Sequence, residues 1–499
     1  MKKRGFTLVE LLAVIVVIGV ILVIVVPRVL KNIDEEKKSA FISSAKALIR
    51  KVEYDYMDKE DFDYVSLKTF NINDISMSNY DIDNSTIKMK DGDIYIKLIG
   101  KEKFEGYKCI GTINNLNCRE KKACTTLKAL TSGTTYVNGQ YTYTYNGSTG
   151  WSVVLTDKES TDPVTTELCG TINDKPIVSM EVMFQDSKAT SIDLSSFDTS
   201  KVTDMDRMFS YSAATEIKGL ENFNTSKVTD MSAMFMYSKA TNLDLSSFDT
   251  SKVTTMRSMF AYSAATEIKG LENFNTSKVT KMDEMFAESK VTTLNLSSFD
   301  TSNVTNMRYM FTSSQATSID VSSFDTTNVT DMNWMFAYSA ATEIKSLENF
   351  NTSKVTRMDE MFAGTNVATL DLSSFDTSKV TRMDFMFEYS AATEIKGLEN
   401  FDTSNVTNMR YMFSNSRATS LDLSSFDTSN VTNMSFMFSD SKVTSLDLSS
   451  FDTSNVTDMS QMFSYSKATT GYARSQEDAD RFNASSEKPA GLTFVVKSS

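Results

Sequence analysis

Apolar positions change period along this chain, and each change predicts a different element. From Phe6 to Val26 the run is apolar or small, with Glu10 as its one charge, and its 21 residues suffice to cross a bilayer as a helix. After Pro27, which predicts a kink, the apolar residues Leu30, Ile33, Phe41, Ala45, Leu48, Val52 and Tyr56 recur at three- and four-residue steps among lysines and acids. The expectation is one stem helix over residues 6–60, with a membrane half and a packed half. Over 61–176 the period becomes two, in Ile94, Ile96 and Leu98, in Tyr141, Tyr143 and Tyr145 before the Asn146-Gly147 turn, and in Trp151, Val153 and Leu155. Such strands predict a small β-rich head packed on the stem.

From residue 177 to 470 the pattern is a repeat. Met-Phe recurs twelve times from Met183 to Met462, every 25 or 26 residues, which marks a solenoid. The order of short and long units repeats after 127 residues, so a five-unit block has been duplicated. Within a unit, alternation as in Leu243, Asp244, Leu245 predicts a short strand, and Phe248 follows into the core. A threonine then stands three residues before an acid, as in Thr203 with Asp206, Thr280 with Asp283, Thr356 with Asp359 and Thr381 with Asp384. That capping-box spacing predicts a brief helix whose inner face carries Met205, Met208 and Phe209. The predicted class is therefore α+β: a long N-terminal helix, a small β-rich head, and a β/α solenoid of about twelve units, ended by a cap over 471–499. In that cap Ser475 starts a helix through Phe482, and Leu492 to Val496 add a strand.

Charge and composition narrow the chemistry. The formal charge is −13, or −16 once Lys2, Lys3 and Arg4 are lost, which disfavours nucleic acid and a DNA-handling role. Histidine is absent, which removes the commonest general base and metal ligand, so an enzyme is not expected. Of 29 methionines, 23 sit in the eleven pairs from Met205 to Met462 or in the first Met-Phe, so packing accounts for them and no copper or haem cofactor is expected. Cys109, Cys118, Cys124 and Cys169 form an even cluster that reads as two disulfides. Three connectivities are possible, with Cys109–Cys118 and Cys124–Cys169 favoured; the spacing lacks the short paired intervals of zinc ribbons. The Asp and Ser/Thr of each FDTS segment suit turns better than calcium.

Two resemblances follow from these residues. Residues 1–27 resemble a type IV prepilin signal: a basic leader over 1–5, Gly5 and Phe6 at the cleavage junction, Glu10 as the fifth mature residue and Pro27 as the twenty-second. That implies cleavage after Gly5 and methylation of the Phe6 amine by a prepilin peptidase/methyltransferase. It also implies engagement of a neighbouring pilin subunit through Glu10, a carboxylate that would be costly in hydrocarbon without a partner. The units, as in FDTSNVTDMSQMF at 451–463, resemble the leucine-rich-repeat surface proteins of the BspA type. This implies a right-handed leucine-rich-repeat-like β/α solenoid, beside the pilin helix of the first resemblance, and with it surface exposure, adhesion and no catalytic residues.

Unit-to-unit variation predicts where a ligand binds. Two residues after the first inner methionine the side chain varies, and about 200° round a helix it points away from the core. Aromatic residues gather there and four residues on: Tyr309, Trp334, Tyr338, Phe385, Tyr389, Tyr411 and Phe436. They are the candidate face for an extracellular protein or glycan, the alternative being that they pack over neighbouring units. The whole predicts a single-pass bacterial membrane and surface protein, a minor pilin or pilin-like adhesin; a non-polymerising anchored receptor or spacer is the alternative.

Overall fold

The computed structural model describes residues 26–56, 64–65, 77–81, 85–90, 93–104, 107–113, 116–120 and 123–497, grouped in two compact units. Gly5, Phe6, Glu10 and the apolar run to Val25 lie outside the described residues, as do any kink before Pro27 and the side chains of Leu30, Ile33 and Tyr56. No helix among the described residues is long and apolar enough to cross a membrane.

The first unit holds the helix α1 (Val26–Tyr56) and a five-stranded antiparallel meander, β1 (Tyr64–Val65), β2 (Thr86–Lys90), β3 (Asp93–Ile99), β4 (Tyr107–Gly111) and β5 (Leu116–Glu120). The amphipathic pattern decides how they meet. Phe41, Ala45, Leu48, Ile49 and Val52 form one buried helix face against Ile87, Ile94, Ile96, Leu98 and Tyr107 of the sheet. Phe41 packs its ring 5.1 Å from that of Phe104, and the Ser44 and Tyr80 hydroxyls bond beside it. A disulfide joins Cys109 to Cys118, directly opposite partners in β4 and β5, and a second joins Cys124, in the short β6 (Ala123–Cys124), to Cys169.

The second unit runs from Thr125 to Leu168 and from Ile172 to Ser499. The head expected over 61–176 is thus divided. Strands β7 (Thr135–Asn138), β8 (Tyr141–Tyr145) and β9 (Trp151–Leu155), then, past β10 (Thr171–Ile172), β11 (Lys175–Ser179), belong with the repeats. Their role there is to close the first end of the repeat core: β9 pairs in parallel with β11, Leu155 donates its N–H to Met183, and the Tyr141 ring meets Phe197 edge-on at 5.9 Å. Alternation alone identifies a sheet with one buried face; it does not say which core that face covers.

Beyond β11 each unit pairs with the next in a parallel ladder of single bridges, from Ser179 and Asp204 through to Asn433 and Asp458. Short parallel pairs, such as Asn242–Asp244 with Glu267–Lys269, hold a second side. The core between them is made of stacked identical side chains: Phe184, Phe209, Phe235, Phe260, Phe286 and Phe311 lie near-parallel, 5.3 to 5.8 Å apart. The long unit inserts Gly219, Gly270 or Gly397 at φ near 90°, where a Cβ at Gly219 would stand 2.5 Å from the Ser195 nitrogen; Ser346 takes the same place at φ 65°. The FDTS segments and their FNTS equivalents in the long units make a hydroxyl ladder. Buried Thr225 donates to the Asp249 carbonyl, Thr250 to Asn275 and Thr276 to Asp300, while Asp198 and Asp300 accept the N–H of the serine two residues on.

The brief helix expected in every unit is not formed in the described solenoid, which is a β solenoid rather than β/α. Among its described residues the one α-helix is α2 (Gln476–Asn483), in the terminal cap, and the long units carry single 3₁₀ turns elsewhere, as at Leu220–Asn222. Thr203, taken as a helix cap, instead gives both its N–H and its hydroxyl to the Val178 carbonyl of the preceding unit, and the Asp206 N–H bonds the Asp204 carboxylate. In the cap, Ser475 accepts the Asp478 N–H, Phe482 and Phe494 cover Phe463 at 5.8 and 4.8 Å, and Thr493–Val496 adds a parallel strand to Thr470–Ala473.

Candidate ligand-binding face

The stretch after each ladder threonine is a pair of linked turns. Every second N–H from Met205 to Tyr211 donates to the next unit: Met205 to Asp230, Arg207 to Ser232, Phe209 to Met234 and Tyr211 to Met236. The N–H groups between them close turns, Met208 to Met205, Ser210 to Arg207 and Ser212 to Phe209. Because alternate donors leave for the neighbouring unit, the i to i−4 bonds of a helix cannot form. The turns bring Met205, Met208 and Phe209 inward, all fully buried, by putting Arg207 and Tyr211 in the left-handed region at φ 52° and 56°.

This recurs in each unit and creates two outward columns. The first holds Arg207, Ala233, Ser258, Glu284, Tyr309, Trp334, Glu360, Phe385, Tyr411, Phe436 and Gln461, all with positive φ. Four residues on, the second includes Tyr211, Tyr237, Tyr262, Tyr338, Gly364, Tyr389 and Tyr465, again with positive φ. The outward direction inferred from a helix is thus produced by turn geometry. A bulky residue at φ above zero is a genuine outlier that costs of order 1–3 kcal/mol, and glycine or asparagine would relieve it.

The rings in these columns stack. Tyr309 lies on Trp334 at 5.4 Å, Phe385 on Tyr411 at 4.8 Å and Tyr411 on Phe436 at 4.5 Å. These five are half-buried as a result, so the alternative of packing over neighbours holds in part. Tyr338 and Tyr389 are more open, 43% and 55% exposed, with the Tyr338 ring tilted 6.2 Å from Trp334 and lying over Gly364. Arg410 covers the Phe385 ring at 4.7 Å. A stack that sequence reasoning missed, Tyr211–Tyr237–Tyr262 at 4.5 and 4.2 Å, occupies the second column nearer the N-terminal end. The recurring tyrosine two places after Met-Phe was its signal.

Glu360 interrupts the first column between Trp334 and Phe385. Burial pushes its carboxyl up to about 7, Asp359, Asp384 and Glu388 add repulsion, and Arg410 opposes them. Burial likewise raises Glu388 to about 7. Each binds its proton more tightly folded than unfolded, so its stabilising contribution is complete below the ordinary carboxylate range and is lost as pH rises through about 7. The solenoid melting temperature should therefore fall between about pH 5 and pH 8, and Glu360→Gln with Glu388→Gln should flatten that fall in a thermal scan. An equal slope in both proteins would contradict this assignment.

Comparison with known proteins places the two ends of the chain. Residues 1–26 match the prokaryotic N-terminal methylation motif, which suggests processing by a prepilin peptidase, pilin-type assembly and a membrane or surface location. No curated protein matches the chain. Among solved structures, the pneumococcal vaccine antigen PcpA is similar over 74% of this chain and 86% of its own, at 11% identity and TM-score 0.36. A leucine-rich repeat protein from Eubacterium ventriosum is similar over 67% and 95%, at 13% identity and TM-score 0.29. Four overlapping matches, to residues 178–267, 261–366, 315–395 and 389–486, cover the whole repeat array and more than half of the sequence, so the chain belongs to the family described as Mycoplasma protein of unknown function, DUF285.

Proposed function

We propose that this is a cell-surface adhesion protein, a minor type IV pilin or pilin-like subunit whose N-terminal segment joins a pilus or the membrane and whose solenoid binds an extracellular protein or glycan. The proposed role is binding, not catalysis. Its N-terminal motif and the likeness of its units to BspA-type surface repeats support display outside the cell.

The observation that carries the adhesion reading is the occupancy of the left-handed columns. Strain of this kind persists where something over-determines it, and it concentrates at functional sites. The core does not require these aromatics, since the same places accept Ser258, Glu284, Gln461 and, in the second column, Gly364. Tyr309 and Trp334 on one side of Glu360, and Phe385, Tyr411 and Phe436 on the other, with Tyr338 and Tyr389 beside them, offer apolar edges and tyrosine hydroxyls together, as interface hot spots do.

The test is Trp334→Gly with Phe385→Gly. Glycine fits the backbone at both places, so relief of strain offsets part of the lost stacking, and the stability loss should stay below about 2 kcal/mol. Adhesion to immobilised matrix proteins or uncharged glycans should fall about tenfold or more. Unchanged adhesion would return these rings to a packing role.

A further inference from the structure

A second surface of the solenoid departs from the acidic character of the chain. Four successive units place a lysine immediately before the buried valine of the ladder: Lys201, Lys227, Lys252 and Lys278, all exposed. Their spacing is set by backbone two residues on, where Thr229 donates to Thr203, Thr254 to Thr229 and Thr280 to Thr254, each at 2.9 Å. The ammonium groups therefore stand in single file about 4.8 Å per unit apart at their bases. No ion pair among the described residues involves any of the four. Lys227 is held below the ordinary lysine range first by the charge of Lys201, then by burial, a hydrogen bond to Lys201 and the charge of Lys252.

Other units carry lysine or asparagine at this place: Lys354 and Lys379 in two of them, with Lys354 donating to the Asn328 side chain of the preceding unit at 2.7 Å, and asparagine in five. Asn303, Asn328, Asn405, Asn430 and Asn455 each donate a side-chain amide to the serine carbonyl of the preceding unit, at 2.6 to 2.8 Å. Asparagine adds an inter-unit bond; stacked lysines add repulsion. In the unbroken run of four lysines no asparagine lies between them to accept as Asn328 does from Lys354, and such a run is accounted for by an anion that binds along it.

We propose that Lys201, Lys227, Lys252 and Lys278 form a track for a linear anionic polysaccharide, one carrying carboxylate or sulfate groups along an unbranched chain. The track is one side chain wide. Duplex DNA presents its phosphates on two strands across a groove about 12 Å wide, which a single file does not match. Single-stranded nucleic acid is held by aromatic platforms as well as charge, and the flanking side chains are Ser200, the buried Val202 and Thr203. The inference stands apart from the aromatic columns and does not rest on them.

The test uses the full chain with heparin, neutral dextran and oligo-thymidine as probes. Heparin binding is expected, with a log–log salt slope of about −3 for four charge contacts. Dextran should not bind, and oligo-thymidine should bind at least about tenfold more weakly than heparin. Replacing all four lysines with asparagine, the residue of other units, should abolish heparin binding without lowering the melting temperature, and Lys252→Glu alone should weaken it about tenfold. Trp334→Gly with Phe385→Gly should leave it intact. Absent heparin binding, unchanged binding by the asparagine variant, equal affinity for oligo-thymidine, or loss shared with the aromatic variant would each overturn the proposal.

Discussion

Phe336→Ala lowers the stability of the repeat array by about 3–5 kcal/mol, the range for removing a fully buried phenyl ring. Phe336 is fully buried and lies between Phe311 at 5.7 Å and Phe362 at 5.8 Å, so two ring stacks are lost together. In a quasi-one-dimensional array a unit interacts only with its neighbours, and the loss falls on two adjacent interfaces near the middle. The two tryptophans of the chain make this visible. Trp334 lies two residues away, while Trp151 is buried in β9 with its indole N–H on the Ile172 carbonyl at 3.1 Å. Urea unfolding of Phe336→Ala should show Trp334 fluorescence changing at lower urea than Trp151, with Tyr338→Ala, on the exposed column, shifting neither by more than about 1 kcal/mol. Coincident and unshifted transitions in Phe336→Ala would contradict a stacked core.

The repeat core was legible because its period, its inward Met-Phe pairs and its alternating leucines are written in every unit. The helix was misread for a physical reason. Met205, Met208 and Phe209 share the three- and four-residue spacing of a helix face, and two linked turns place side chains at the same interval. The usual sign of such turns, a glycine or asparagine at positive φ, appears in these columns at Gly364 and Asn415, while Arg207, Trp334 and Phe385 hold the same backbone. What fixes them is the carbonyl ladder of the next unit, a long-range effect that local propensity does not carry.

The candidate face was legible in part. Tyr309, Trp334, Phe385, Tyr411 and Phe436 do project outward, but their stacking, and the equivalent column through Tyr211, Tyr237 and Tyr262, depends on the unit-to-unit distance. The division of the head was hidden for a similar reason, since Tyr141 and Tyr143 alternate alike whether they cover α1 or the first repeat. The lysine track was hidden by the net charge, a sum that conceals local order.

The second large effect concerns attachment. Glu10 is a carboxylate inside a bilayer-length apolar run, where an unpaired charge costs about 2.5–3.5 kcal/mol or more, and within the matched methylation motif. In the proposed pilus a partner amine on a neighbouring subunit would offset that cost. Glu10→Val keeps the apolar run and removes the proposed pairing, so export to the membrane should persist while filament incorporation is lost. The direct measurement is the share of the protein released with filaments when cells are sheared, against the share left in the membrane pellet. The account predicts release of the native chain and retention of Glu10→Val in the pellet. Retention of the native chain, or equal release of both, would contradict a pilus-borne adhesin and leave a rod anchored in the membrane alone.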